Sequence, residues 1–344
     1  MRVEHDVLLA PKTTLGLGGA ARRLVRVETL ADLTEALAMA SSANERVLVL
    51  GSGSNLVVRD AGWDGLVVEM AIGGVDVAIH DDHAIVSAFA GVVWDDFVAQ
   101  MIEAGLVGVE CLSGIPGLVG ATPMQNVGAY GQEVSDTITQ VRVLDRDTGA
   151  LETLSPEACG FAYRSSVFRG SERWIVVEVQ FRFARGTASA PIRYAELARA
   201  LGITEGQRAP LAEVRRVVLE LRRAKGMVVD PADPESCSAG SFFTNPIVDA
   251  AAVAALEARL PGVAIPKFAA PDGMTKLAAA WLIERAGFTK GYTVGRVGIS
   301  RKHALALVNR GDATTTELLA LATQIQDAVR DKLGIELVPE PVIV

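Results

Sequence analysis

Apolar positions in the first hundred residues fall in short runs that suit strands better than helices. Runs at 24–27, 47–50, 66–69, 75–79 and 84–89 predict β-structure. Helical spacing interrupts them at about 31–43 and again at about 94–104, where Gly105 ends the pattern. Segments 140–144 and 174–183 return to β character, so the first body is expected to be mainly sheet. From Pro210 the pattern changes: in LAEVRRVVLELRRAKG, Val214, Val217, Val218 and Leu221 share one helical face, with arginines on the other. The stiff DPADP sequence at 230–234 reads as a boundary. Beyond it, helices at about 249–260, 275–286 and 316–333 alternate with a strand at 304–308, predicting a compact α+β second body. The chain closes on apolar segments 335–338 and 342–344, read as a strand broken by Pro339 and Pro341.

Two segments carry glycine where such elements need bulk. SGIPGLVGATPMQNVGAYG, residues 113–131, places glycines at 114, 117, 120, 128 and 131 and fixes two bends with Pro116 and Pro123. Backbone amides exposed by such a chain can converge on an anion or a flat ring, and a loop this long inside a compact chain points to function. GSGSN, residues 51–55, follows the apolar run at 47–50. It is not a dinucleotide fingerprint, because Leu56 replaces the third glycine and Val57-Val58-Arg59 continue as a strand instead of opening a helix. What remains is a strand, loop, strand unit in which Ser52, Gly53, Ser54 and Asn55 make either a phosphate nest or an ordinary turn.

At 344 residues the chain has room for two or three domains and a large pocket. A net charge of −8 offers no basic field for nucleic acid, so any phosphate site has to be local. Half the residues are hydrophobic, yet Glu69 and Asp76 break the apolar stretch between Leu66 and Ile79, and no run reaches membrane-spanning length. Glu4 and Asp6 stand where a leader would be basic and apolar, so the protein is expected in the cytoplasm with no membrane partner. Cys111, Cys159 and Cys237 show no CxxC spacing, and His5, His80, His83 and His303 no HExxH. Neither a disulfide frame nor a metal site is expected.

Three residues are candidates for chemistry. Ser241, in AGSFFTNP, has small neighbours before it and two phenylalanines after it; it is a proton donor or a turn serine. Arg164, in YRSSVF, is a permanent cationic fork suited to a carboxylate or a developing enolate, or a surface arginine. Glu340, between Pro339 and Pro341, is held on stiff backbone or is a solvated acid.

In order along the chain, GSGSN, the 113–131 segment, YRSSVF, RRAKGM, AGSFFTNP and LVPE resemble the UDP-N-acetylenolpyruvoylglucosamine reductase family, in its tyrosine-loop form. The likeness covers nearly the whole chain. It implies a two-part FAD-binding α/β body of the non-Rossmann, vanillyl-alcohol oxidase/PCMH-like type plus a C-terminal α+β substrate domain. The implied division is 1–66 with 336–344 and 67–227 for FAD, and 228–335 for substrate. Non-covalent FAD would contact Gly51, Ser52, Gly53, Ser54, Asn55, Ser113, Gly114, Ile115, Pro116, Gly117, Gly120, Asn126, Gly128, Ala129 and Tyr130. The catalytic trio would be Arg164, Ser241 and Glu340. Tyr194, Lys225 and Asn245, with Arg222 as an addition, would hold UDP-N-acetylglucosamine enolpyruvate, and NADPH would be the co-substrate of a monomeric enzyme. Hydride would add at C3 of the enolpyruvyl group, Arg164 and Glu340 would stabilise the enolic form, and Ser241 would protonate C2. Leu118, Ala121 and Pro341 depart from the family's usual residues. Two rivals are a flavin oxidase with a covalent flavin, for which Cys111 is the only nearby attachment residue, and a UDP-sugar binding protein without turnover.

Overall fold

The computed structural model describes residues 1–344 and divides into two compact units. One comprises residues 1–7, 21–52 and 64–224, the other residues 8–20, 53–63 and 225–344.

The first unit is built on two sheets. The smaller orders its strands Val3–Leu8, Ala20–Val27, Trp63–Met70 and Arg46–Leu50, the last two running parallel with Val47 opposite Leu66. Helix Leu30–Ser42 buries Leu33, Ala36 and Ala40 against this sheet's Val25, Val27 and Val68. Thr29 and Asp32 start that helix with a reciprocal capping box, satisfying amide donors a bare terminus would leave orphaned. The larger sheet is antiparallel, ordered Leu151–Leu154, Ile138–Asp145, Trp174–Arg185, His83–Phe89 and Val75–Ile79, with Leu106–Val107 paired to the end of Trp174–Arg185. Helix Trp94–Glu103 sets Trp94, Phe97 and Met101 against Val86, Phe181 and Phe183, with Phe97 and Phe181 ring centres 5.1 Å apart. Helix Leu211–Ala224 buries Val214, Val217 and Val218 over Ile192, Leu197 and Cys111.

The second unit packs around helix Thr315–Leu333, which opens on a Thr314/Glu317 capping box and ends on Gly334 in the left-handed conformation. Its Leu318, Leu321, Ile325 and Val329 meet Leu282 and Ile283 of helix Ala279–Ala286 and Phe242 and Phe243. The terminal strand Val342–Ile343 pairs in parallel with Leu56–Val57, and the Val344 N–H reaches the Val57 carbonyl at 3.0 Å. That pairing is why 53–63 groups with the C-terminal part.

Three local expectations are corrected. Residues 275–286 are not one helix: Thr275–Leu277 is the central strand of a three-stranded sheet, between Ile247–Val248 and Lys267–Ala269, and the helix starts at Ala279. The strand expected at 304–308 is Leu307–Asn309, because 304–306 form a turn. Segment 335–338 buries Ile335 and Leu337 and exposes Glu336 and Val338, a strand-like alternation, yet it joins no sheet. The Gln326 side chain takes the Leu337 carbonyl at 2.8 Å, and the Val338 carbonyl accepts the Thr244 N–H at 3.0 Å. Alternation reports burial on one side; it does not supply a partner strand.

Candidate active site

The 113–131 segment is a chain of tight turns laid over residues 90–95. Val119 N–H donates to the Val92 carbonyl at 2.8 Å, Gly120 N–H to Ala90 at 3.0 Å, and the Gly117 carbonyl accepts Trp94 N–H at 3.0 Å. Glycine is required at 120 because a Cβ there would lie 2.4 Å from the Ala90 Cβ. Leu118 lies over Gly51, so the two glycine-rich segments meet. At 53 the requirement is double: φ is +65°, and a Cβ would sit 2.1 Å from the Lys12 carbonyl oxygen. Gly120 and Gly53 thus each pack their backbone where only glycine fits, the property that a backbone-lined cradle for a diphosphate or a flat ring requires.

Amides in this cradle are not all available to a ligand. Gly114 N–H is taken by Asp95 Oδ1, which also accepts Arg215 Nη1 at 2.6 Å, while Asp95 Oδ2 accepts Arg215 Nη2 at 2.9 Å. Burial pushes the Asp95 carboxyl up, but the hydrogen bonds from Arg215 and Gly114, with the charges of Arg215 and Arg222, leave it below its ordinary value. Gly51, Gly53 and Gly117 N–H groups, in contrast, donate to no backbone carbonyl. Nothing in the sequence marks Asp95, since its partner is 120 residues away.

Seven non-glycine residues have positive φ, and five of them are Asp or Asn, which tolerate it; the other two are Tyr130 and Arg164. Such strain persists only where surrounding contacts impose it, and it gathers at functional sites. Arg164 Nη2 donates to the Gly128 carbonyl at 2.8 Å, tying the guanidinium to the glycine-rich segment, and its own carbonyl accepts from Arg169. Asn126 is buried, with its amide nitrogen 2.8 Å from Glu133 Oε2 and its amide oxygen accepting Ser135 N–H at 3.1 Å. Tyr130 meets Tyr194 edge to face, ring centres 5.4 Å apart. Burial pushes the Tyr130 hydroxyl up to about 12, against the opposing charge of Arg222. Arg222 is thus grouped with Tyr130 and Asp95, and burial lowers its guanidinium from the ordinary value.

In the second unit, the segments that carry Ser241 and Glu340 run beside each other. Glu340 N–H donates to the Phe242 carbonyl at 2.9 Å, Phe243 bridges to Pro339, and Phe242 N–H is anchored on the Leu305 carbonyl at 2.7 Å. Both residues are half-buried. Asn55 Nδ2 reaches the Glu340 carbonyl at 3.5 Å, and Val342 N–H the Asn55 carbonyl at 3.0 Å. Thr14, which the sequence reading missed, donates to the Ser238 carbonyl at 2.7 Å and lies 3.5 Å from the Ser54 carbonyl. Asn245 commits its amide oxygen to the Ala279 N–H at the start of helix Ala279–Ala286, at 2.9 Å. Lys225 opens this unit's long C-terminal segment.

Cys111 is 2 % exposed, and burial, with the charge of Glu110, raises its thiol well above the ordinary value, so it is a poor nucleophile for attachment to a flavin.

A family model for the C-terminal domain of UDP-N-acetylenolpyruvoylglucosamine reductase matches residues 232–344, and a model described as an FAD binding domain matches residues 21–155. Among curated proteins, the UDP-N-acetylenolpyruvoylglucosamine reductase of Thermobifida fusca (strain YX) is 51% identical over 346 residues, covering 99% of this chain and 97% of its own. That of Saccharopolyspora erythraea is 52% identical over 344 residues, covering 98% and 94%. The crystal structure of the Thermus caldophilus enzyme superposes with a TM-score of 0.67 at 29% identity, covering 100% of this chain and 99% of that one. Two glycine-lined segments, strained Arg164 and Tyr130, and the paired Ser241 and Glu340 segments thus sit in a chain related to these enzymes from end to end, and it belongs to the UDP-N-acetylenolpyruvoylglucosamine reductase family.

Proposed function

We propose that this protein catalyses the NADPH-dependent, FAD-mediated reduction of UDP-N-acetylglucosamine enolpyruvate to UDP-N-acetylmuramate, a step in peptidoglycan precursor synthesis. The relationship to the reductases over the full length of the chain carries this reading. FAD, when bound, would supply the hydride-transfer chemistry that links NADPH oxidation to reduction of the enolpyruvyl ether at C3. The glycine-rich segments 51–55 and 113–131 would hold it, through backbone freed of side chains to approach the ligand.

The remaining work belongs to side chains. Addition at C3 places negative charge at C2 and in the adjoining carboxylate. Arg164, a cation that cannot lose its charge, stabilises that charge with a fork matched to a carboxylate. A bare carboxylate beside the enolate would be repulsive, so Glu340 is either protonated there or acts as a dipole partner. Ser241, on the segment paired with that of Glu340, delivers the proton to C2. Tyr194 would grip the substrate, with Lys225 and Asn245 facing the UDP diphosphate, Asn245 directed by its bond to the Ala279 N–H, and Arg222 as an additional contact. Residues 228–335 form the substrate part of this reading. No helix of the chain is long and apolar enough to cross a membrane; a cytoplasmic monomer completes the proposal.

The test uses purified protein without oxygen. NADPH should bleach a flavin that acid precipitation releases into the supernatant, and the UDP-sugar should restore its colour with one NADPH consumed per product. Omitting UDP from the sugar should lower turnover as well as affinity, because binding energy remote from the reacting carbon assists the chemical step. Equal turnover without UDP, or a flavin that stays with the precipitate, would contradict the assignment.

A further inference from the structure

A second polar cleft lies in the first unit, with a volume of about 550 Å³. It is walled by Arg182 at the end of strand Trp174–Arg185, by Arg193, and by Arg208, over a floor that includes Gly131 and Gln132. Several arginines elsewhere in this chain are matched by acids, as in Arg23–Glu45, Arg173–Asp145, Arg215–Asp95 and Arg310–Glu235. None of the three cleft arginines forms such a pair, although acidic residues outnumber basic ones 41 to 33. Arg208 is aimed by one hydrogen bond, from Nη1 to the Ser189 carbonyl at 2.8 Å. Two carboxylates share the rim, Asp82 2.7 Å from His83 Nδ1 and within the field of Arg182, and Asp136, which accepts the Glu133 N–H at 3.1 Å, so the three guanidiniums outnumber them by one.

From this arrangement we infer a second anion site, one that takes a small phosphorylated molecule carrying at least two negative charges. Three guanidinium forks around one volume provide far more donors than a monocarboxylate can accept, while a phosphate or diphosphate presents enough oxygens to engage all three. The volume suits a ligand of sugar-phosphate size. Arg193 directly precedes Tyr194, so this cleft backs onto the segment proposed to grip UDP, and a test has to separate the two.

Inorganic pyrophosphate is the probe, titrated calorimetrically into the FAD-loaded protein at low ionic strength with saturating UDP present, so that the nucleotide cleft is filled. One additional site is expected. Arg182→Ala, Arg193→Ala and Arg208→Ala should each weaken pyrophosphate binding at least tenfold while UDP affinity in a separate titration changes less than twofold for Arg182→Ala and Arg208→Ala. All three side chains are exposed, so the variants should fold, and an unchanged flavin spectrum checks this. Absence of pyrophosphate heat above the UDP-filled baseline, or variants that bind within twofold of the parent, would overturn the site. Citrate binding as tightly as pyrophosphate would overturn its assignment to phosphorylated ligands.

Discussion

Asp95→Ala isolates the clamp between the glycine-rich segment and two helices. The substitution removes both hydrogen bonds to Arg215 and the acceptor of Gly114 N–H. Asp95 is 33% exposed and Arg215 20%, so the pair lies between the fully buried case, where breaking one partner costs ~3–5 kcal/mol, and the exposed case at ~0–1 kcal/mol. About 2 kcal/mol is a fair value for the pair. An amide left without an acceptor adds about 1 kcal/mol. The expected loss is therefore about 3 kcal/mol for Asp95→Ala and about 2 for Arg215→Ala, which keeps the Gly114 contact. Since the folded carboxyl lies below its ordinary value of 3.8, the contribution is fully present above about pH 4 and disappears as pH falls through the lowered folded value. Hydrogen exchange at the Gly114 amide reads the contact directly, and FAD titration of the apoprotein reads its consequence. Asp95→Ala should lose Gly114 protection and bind FAD at least tenfold more weakly; Arg215→Ala should retain part of both. If Asp95→Ala leaves exchange at Gly114 and FAD affinity within twofold of the parent, the clamp does not position the loop.

Gly53→Ala forces a side chain into a left-handed residue and against the Lys12 carbonyl, so about 3 kcal/mol of stability and most FAD binding should be lost, measured by urea unfolding and flavin titration. Arg164→Lys keeps the charge and loses the fork and the Gly128 bond; sugar reduction should fall about 10- to 100-fold, below the 10²–10³ of losing a whole oxyanion donor, with flavin reduction by NADPH little changed. Glu340→Gln should slow the same sugar half-reaction in rapid mixing, and a variant pair that leaves it untouched would place the carboxylate site elsewhere.

Much of the first unit was legible because its elements carry their own pattern. Strand Val75–Ile79, although mostly exposed, was read at its observed limits from its β-branched residues, and Trp174–Arg185 to within two residues because its buried positions are β-branched and aromatic. Val3–Leu8 was missed because it buries none of its residues fully and shows no apolar run. Strands of two or three residues, such as Thr293–Val294 and Val297–Ile299, are too short for any period to appear. GSGSN leads into a short strand, Leu56–Val57, where the sequence expected one at 57–59, so the strand was legible and its limits were not. Spatial partners were not legible: Phe242 and Glu340, Asp95 and Arg215, and Thr14 and Ser238 are joined by backbone or side-chain bonds that leave no local trace.

Ser241→Ala tests the account most directly, because the two half-reactions can be followed separately by flavin absorbance. Reduction by NADPH requires no proton at C2 of the sugar, so it should proceed at nearly the parent rate. Reoxidation by UDP-N-acetylglucosamine enolpyruvate should slow by about 10² to 10⁴, the range of a positioned general acid, and Ser241→Cys should recover part of that loss. An alanine variant that reoxidises within about tenfold of the parent, below that general-acid range, would contradict the account and assign the C2 proton to water or another group.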